Sequence, residues 1–271
     1  MENKYFDDFF QLLESNTGIA MDGSKAYLFS SRLDPVARLH GFSDFVALIQ
    51  HLVTRPLERL HWEAFEAMAT NETSFFRDKY PFDAIKDVLL PQIMMRKKAS
   101  HQINIWCAAA STGQEPYSLA ILLHENFPEL SGWNVNLYAT DMSERALEQA
   151  RAGLYSETEV KRGLSAEQIQ RYFTRTESGS FQIIEALRSA VRFSNVNLVR
   201  PWPMLPKADL ILLRNVLIYL NKEKKLQVVN KMREQLAEPD GCMMLGSSES
   251  LLSDLSFKLH RLDRVSYYSM A

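Results

Sequence analysis

From position 103 onward the chain alternates short apolar runs with helix-like stretches, and this alternation restricts the fold more than any other feature. Residues 103–108, 135–140, 209–213 and 242–246 have the length and composition of buried strands. Residues 115–127, 143–152 and 222–237 read as the helices between them. Strands that alternate with helices build a mostly parallel sheet covered on both faces. Residues 257–262 and 265–269, on either side of Asp263-Arg264, read as a closing hairpin, so the last strand is antiparallel. The expected class is α/β, with a Rossmann-like sheet.

The first seventy residues follow a different rule. Tyr5, Phe6, Phe9, Phe10, Leu12 and Leu13 recur at helical spacing until Thr17-Gly18 breaks the pattern. A second helix is expected from near Ser24, kinked or ended by Pro35. Ser43 is the expected cap of a third, and Pro56 falls in the first turn of a fourth that runs to about Ala69. Pro81 opens another helix, to about Lys98. Residues 153–195 interrupt the later alternation. There Ser165 caps a short helix, and residues 173–176 and 180–183 flank the loop Glu177-Ser178-Gly179 as a hairpin. The expected layout is an all-helical domain at 1–70, a linker at 71–80, an α/β domain at 81–271 and, within it, a small β-subdomain at 153–195. At roughly 150 residues per domain, 271 residues accommodate this.

Composition excludes several classes. Lys plus Arg is 31 and Asp plus Glu is 33, a net charge of −2, which argues against a protein that coats nucleic acid. The longest stretch without Asp, Glu, Lys or Arg, 99–114, contains His101, Gln102, Asn104, Ser111 and Thr112 and cannot span a bilayer. The N-terminus lacks a basic start followed by an apolar core, so no signal peptide is expected. Cys107 and Cys242 sit in strand-like runs and read as small core residues of a cytoplasmic protein. No H-E-x-x-H pair, Cys/His cluster or G-x-S-x-G elbow is present, so neither a metal nor a serine nucleophile is expected.

In an open parallel sheet, ligands bind beyond the carboxyl ends of the strands. After the first strand comes Ala108-Ala109-Ala110-Ser111-Thr112-Gly113-Gln114-Glu115-Pro116-Tyr117-Ser118, whose small residues admit a ligand close to the backbone. A tight strand–helix crossover explains the same residues. No Lys follows Gly113, so this is not a phosphate loop. After the second strand comes Asp141, either a partner for ribose hydroxyls or a cap for the next helix. A small-residue loop followed by an acid favours an adenosine ligand. Arg214 and Asn215 follow the third strand as donors, and Tyr219 is either core or site. Asn71-Glu72-Thr73-Ser74-Phe75-Phe76-Arg77-Asp78 joins the helical region to the sheet, and sites often form at such junctions.

These residues resemble a known family. Asn-x-Thr-x-Phe-Phe-Arg at 71–77, Ala-Ala-Ser-Thr-Gly-Gln-Glu-Pro-Tyr-Ser at 109–118, Ala-Thr-Asp at 139–141, Asn-Leu at 197–198 and Arg-Asn-Val-Leu-Ile-Tyr at 214–219 occur in order. Together they resemble the CheR family, the bacterial chemotaxis receptor glutamate O-methyltransferases, over essentially the whole chain. The resemblance implies a class I methyltransferase sheet and S-adenosylmethionine as cofactor, with S-adenosylhomocysteine as product and no metal. It implies methyl transfer to glutamate side chains on the cytoplasmic helices of methyl-accepting chemoreceptors. It carries cofactor contacts onto Asn71, Thr73, Arg77, Glu115, Asp141, Asn197, Leu198, Arg214 and Asn215, and places Arg77 and Tyr219 beside the reacting methyl. In some members the inserted β-subdomain binds a receptor's C-terminal tether peptide. The expected protein is a cytoplasmic monomer, brought to membrane receptor arrays by protein contacts, with no nucleic-acid partner and no membrane insertion.

The chemistry agrees with that expectation. A glutamate near its ordinary pKa is already ionised at neutral pH, so no strong base is needed, and no catalytic His stands out. Lys25, Arg32 and Arg38, against Asp34, offer a basic helix face toward acidic receptor helices, or merely a solvated face. Two other readings stay open at the level of sequence: a carboxyl methyltransferase for a receptor outside chemotaxis, and a non-catalytic module that binds the cofactor.

Overall fold

The computed structural model describes residues 2–20, 27–251 and 256–271. The expected helix start at Ser24, and Lys25 with it, lie outside the described residues. The chain divides into two compact units, one built from residues 1–71, 197–202 and 219–228, the other from 72–196, 203–218 and 229–271.

In the first unit, α1 (Glu2–Thr17), α2 (Tyr27–Leu39), α3 (Phe45–Val53) and α4 (Arg59–Met68) bury one apolar face each. Phe9, Leu13, Leu33, Leu48, Leu52 and Phe65 are completely buried. Pro35 lies inside α2 and does not end it. Leu33 and Ala37, on either side, are fully buried, and their packing offsets the backbone hydrogen bond that proline removes. Two caps differ from expectation. Asp44, not Ser43, caps α3, its carboxylate accepting the Ala47 N–H at 2.8 Å. Pro56 precedes α4, which starts at Arg59 with a capping box between Glu58 and His61. His61 is fully buried yet satisfied, with Nδ1 accepting the Glu58 N–H at 3.1 Å and Nε2 2.9 Å from the Leu52 carbonyl.

The second unit holds α5 (Tyr80–Ala84), one π-helical turn, α6 (Leu90–Lys97), β1 (Gln102–Ala108), α7 (Gln114–Asn126), β2 (Asn134–Asp141) and α8 (Glu144–Ala152). It continues with β3 (Leu154–Tyr155), α9 (Glu157–Lys161), α10 (Ala166–Tyr172), β4 (Phe173–Arg175), β5 (Phe181–Ile183), α11 (Glu185–Arg188), β6 (Val191–Asn195) and β7 (Leu210–Leu213). Helix α12 (Lys222–Gln235), shared by the two units, precedes β8 (Cys242–Leu245), β9 (Phe257–Leu262) and β10 (Val265–Met270).

The seven-stranded sheet has the order β6-β2-β1-β7-β8-β10-β9. Pairing is parallel except at β10, which lies antiparallel between β8 and β9. This is the mostly parallel, Rossmann-like sheet with an antiparallel last strand that the alternation implied. β1 and β7 are nearly all apolar because both sheet faces are covered. Cys107 and Cys242 lie inside them and their neighbours, and burial pushes the thiol of Cys107 well up and that of Cys242 to about 12. Both are inert core residues.

Two elements differ from the sequence reading of 153–195. β3 joins β4 and β5 as a three-stranded antiparallel sheet, so the insertion is more than a hairpin. Val191–Asn195 is the edge strand of the large sheet and pairs with β2. Its mixed burial hid it, since an edge strand carries no continuous apolar run.

Candidate active site

Strand order reverses between β1 and β7, so the crevice beyond their carboxyl ends is where a ligand belongs. Three loops reach it, from β1, β2 and β7. In the loop after β1, Ala109 and Ser111 have φ of 60° and 51°. That left-handed region is unfavourable for residues with a Cβ, and such strain gathers at functional sites. The loop is held to β2 by two bonds, Ala110 N–H to the Thr140 carbonyl and Ser111 N–H to Asp141 Oδ2, both 2.8 Å.

Asp141 ends β2 and is buried. Its Oδ1 accepts the Ser143 N–H at 2.9 Å, while Ser143 itself caps α8 by accepting from Ala146. Asp141 is therefore not the helix cap. It joins the loops after β1 and β2.

Arg214 ends the run of β7 with a side chain only 1% exposed. Its guanidinium donates to Glu115 Oε2 at 2.7 Å, to Asp78 Oδ2 at 2.8 Å and to the Arg77 carbonyl at 2.9 Å, and lies 5.7 Å from the Phe82 ring centre. Its Nε is buried without a partner among the described residues, so one charged donor remains for an acceptor on a ligand. Burial raises the Glu115 carboxyl above the ordinary glutamate value, against the opposing pull of Arg214 and Arg77.

The segment that carries Thr73 and Arg77 is bent by three left-handed residues, Phe76, Asp78 and Lys79, with φ of 46°, 68° and 51°. Several contacts hold it there. Phe76 N–H donates to Ser118 Oγ at 2.9 Å, and Phe75 is buried edge-on against Tyr155 at 5.0 Å and Phe173 at 5.6 Å. A Cβ on Gly163, φ +111°, would stand 1.8 Å from the Phe75 carbonyl oxygen, so only glycine allows this approach. The Arg77 guanidinium donates to the Glu72 carbonyl at 2.7 Å.

The structure thus joins Arg77, Glu115 and Arg214 by direct contact and places Thr73, Asp141 and Asn215 on neighbouring segments of the second unit. Asn71, Asn197, Leu198 and Tyr219 belong to the first unit. There Asn71 is exposed and Leu198 buried. Asn197 Nδ2 donates to the Asn16 carbonyl at 2.9 Å, and the Tyr219 carbonyl accepts from Ala20 at 2.8 Å. Arg32 does not extend a free basic face. It donates to the Met68 and Ala69 carbonyls and to Thr70 Oγ1, closing the end of α4. Arg38 remains exposed.

Sequence reasoning quoted Asp78 and Ser118 within its segments without giving either a role, and missed Gly163 and Glu249. The Glu249 carboxylate accepts from Asn215, Val216, Gly246 and Ile218. Asp78 carried a local signal as a charge beside Arg77, and Ser118 as the end of the motif at 109–118; Gly163 and Glu249 carried none.

The donor set fits an adenosine-bearing cofactor that lacks phosphate. It offers a buried acid at the end of β2, a loop of small residues without lysine, and a buried guanidinium N–H left over. Among the described residues no group of three His, Cys, Asp or Glu is placed to hold a metal ion, and no helix is long and apolar enough to cross a membrane.

Comparison with known proteins gives matches to two family models. "CheR methyltransferase, SAM binding domain" matches residues 71–265, and "CheR methyltransferase, all-alpha domain" matches residues 4–68. A chemotaxis protein methyltransferase of Vibrio parahaemolyticus is 38% identical over 253 residues, covering 93% of this chain and 90% of that one. Chemotaxis protein methyltransferase 1 of Pseudomonas aeruginosa is 38% identical over 253 residues, covering 92% and 91%.

Proposed function

This chain belongs to the CheR methyltransferase family, with S-adenosylmethionine as its cofactor, and from that premise we propose that it methylates glutamate side chains on the cytoplasmic helices of chemoreceptors, forming methyl esters. The observation that carries the reading is the Arg77–Arg214–Glu115 cluster at the strand ends, in a chain 38% identical to chemotaxis protein methyltransferases over nine-tenths of its length.

In this reading Thr73, Arg77, Glu115, Asp141, Arg214 and Asn215 hold the cofactor in the second unit, and Asn71, Asn197 and Leu198 are further contacts. Asp141, a buried acid at the end of β2, accepts from the ribose hydroxyls. Arg214 Nε donates to an acceptor on the cofactor.

The bound sulfonium supplies an activated methyl group and a neutral sulfur leaving group. The residues then have to aim a carboxylate that is already ionised at neutral pH. Arg77 holds it by charge-assisted hydrogen bonds. The guanidinium has five N–H donors, and the bond to the Glu72 carbonyl anchors it. Tyr219 adds its hydroxyl to the alignment. Too strong a pair would stabilise bound substrate as much as the transition state, so alignment matters more than charge.

The deciding experiment incubates the protein with tritiated S-adenosylmethionine and chemoreceptor-rich membranes, then adds alkali. Carboxyl esters release the label as volatile methanol. Label that stays bound after alkali, or no transfer by protein that binds S-adenosylhomocysteine, overturns the proposal.

A further inference from the structure

Glu249 sits 34 residues beyond Asn215, in the loop after β8, and yet organises the loop after β7. Its Oε2 accepts the N–H groups of Asn215 and Gly246, both at 2.7 Å. Its Oε1 accepts those of Val216 at 2.8 Å and Ile218 at 3.3 Å. Four donors use up the roughly four sites of a carboxylate. Successive N–H groups that converge next to a left-handed residue form an anion-binding concavity, and Asn215, φ +57°, is such a residue. Here the concavity is filled by the chain's own carboxylate. A Cβ on Gly246 would stand 2.7 Å from Glu249 Oε2 and 2.8 Å from the Asn215 nitrogen, so the absence of a side chain there lets the two loops close.

We propose that Glu249 is a positioning residue for methyl transfer. By gripping the main chain at 215, 216, 218 and 246 it sets how Arg214 and Asn215 face the cofactor. The inference rests on the assignment of those two residues to cofactor binding. Glu249 touches neither cofactor nor substrate, since its acceptor sites are already occupied by backbone. Hydrogen bonds to an ionised acceptor are about twice as strong as neutral ones. Glu249→Gln keeps the shape but turns an amide NH2 toward N–H donors, so the grip fails while the volume is conserved.

The test uses the full chain. S-adenosylhomocysteine affinity by calorimetry, turnover at saturating cofactor, amide NMR shifts and a melting curve are measured for Glu249→Gln and Glu249→Asp. Asp141→Asn serves as reference. Glu249→Gln is expected to lose about 10- to 150-fold in affinity at a temperature where it is folded, with shifted resonances at Asn215, Val216 and Gly246. Glu249→Asp, with the charge on a shorter arm, falls between the two and carries the test if the Gln variant does not fold. A lowered melting temperature with unchanged affinity and turnover overturns the proposal. Normal affinity in Glu249→Gln beside a loss in Asp141→Asn overturns the role of Glu249 alone. Normal affinity in both overturns the cofactor site with it.

Discussion

Arg77 is presented by a backbone that few residues adopt, with left-handed neighbours at 76, 78 and 79. At about 1–3 kcal/mol for each strained residue, this conformation persists only because Ser118, Arg214 and the Phe75 pocket hold it. Arg77→Ala is expected to lower turnover severely in a folded protein, with some loss of cofactor affinity. Arg77→Lys should recover only part, since an ammonium keeps the charge but not the planar fork. Tyr219→Phe should lower turnover by roughly 5- to 150-fold, the worth of one positioning hydrogen bond, with little change in cofactor affinity. Turnover at saturating cofactor beside a melting curve checks all three, and near-normal rates in Arg77→Ala would refute the assigned role. Asp141→Asn should weaken S-adenosylhomocysteine binding by about 10- to 150-fold. It should also loosen the loop after β1, because Asp141 accepts from Ser111 as well.

Glu115 supplies a pH signature. Its pKa is raised by burial above the ordinary 4.5, so the folded protein binds this proton more readily than the unfolded chain does. Stability rises with pH only where the unfolded state holds more protons. Here the folded state holds more, so this group's contribution falls as pH climbs from about 4.5 through the raised folded value. Glu115→Gln removes that dependence. The difference in melting temperature between wild type and variant should therefore change as pH rises from about 4.5 through the raised folded value and level off above it. A constant difference over that range would contradict the raised value.

At the scale of elements, the insertion supports the Arg77 segment through its three-stranded sheet and adds β6 to the edge of the large one. Phe173 and Tyr155, from β4 and β3, pack on Phe75, and Gly163 lies against its carbonyl. Replacing only the turn Glu177-Ser178-Gly179 should leave cofactor affinity and basal turnover intact. Gly163→Ala should lower turnover, because a Cβ 1.8 Å from the Phe75 oxygen displaces the segment that carries Arg77. Rates for both variants on one receptor preparation test the contrast. The same elements show what the sequence made legible. The loops after β1, β2 and β7 were readable because a buried parallel strand is a contiguous apolar run whose end is visible. The contacts of Glu249 with Asn215, Ser118 with Phe76 and Gly163 with Phe75 were not, because they join residues 34, 42 and 88 positions apart. Asp44 displaced Ser43 as a cap because two adjacent residues had equal chemistry and only backbone geometry chose between them.

For the whole molecule, cofactor binding and folding are linked. A ligand at 100 times its dissociation constant stabilises the state it binds by about 2.7 kcal/mol. At roughly 2–4 °C per kcal/mol for chains near this size, S-adenosylhomocysteine should raise the melting temperature by several degrees, and less in Asp141→Asn at the same concentration. A scanning calorimetry series in ligand concentration measures it.

The position of β10 also governs the order in which the sheet is completed. Residues 257–262 leave the ribosome before 265–270, yet among the described residues β9 pairs only with β10, and β10 fills the place between β9 and β8. Until residues 265–270 are made, β8 lacks its β10 neighbour, and β9 lacks the one strand it pairs with among the described residues. Both are exposed strand edges of the kind that recruit other chains. Nascent chains stalled before Val265 should therefore be prone to aggregate and poor at retaining S-adenosylhomocysteine. Emergence of β10 is then the event that commits the sheet.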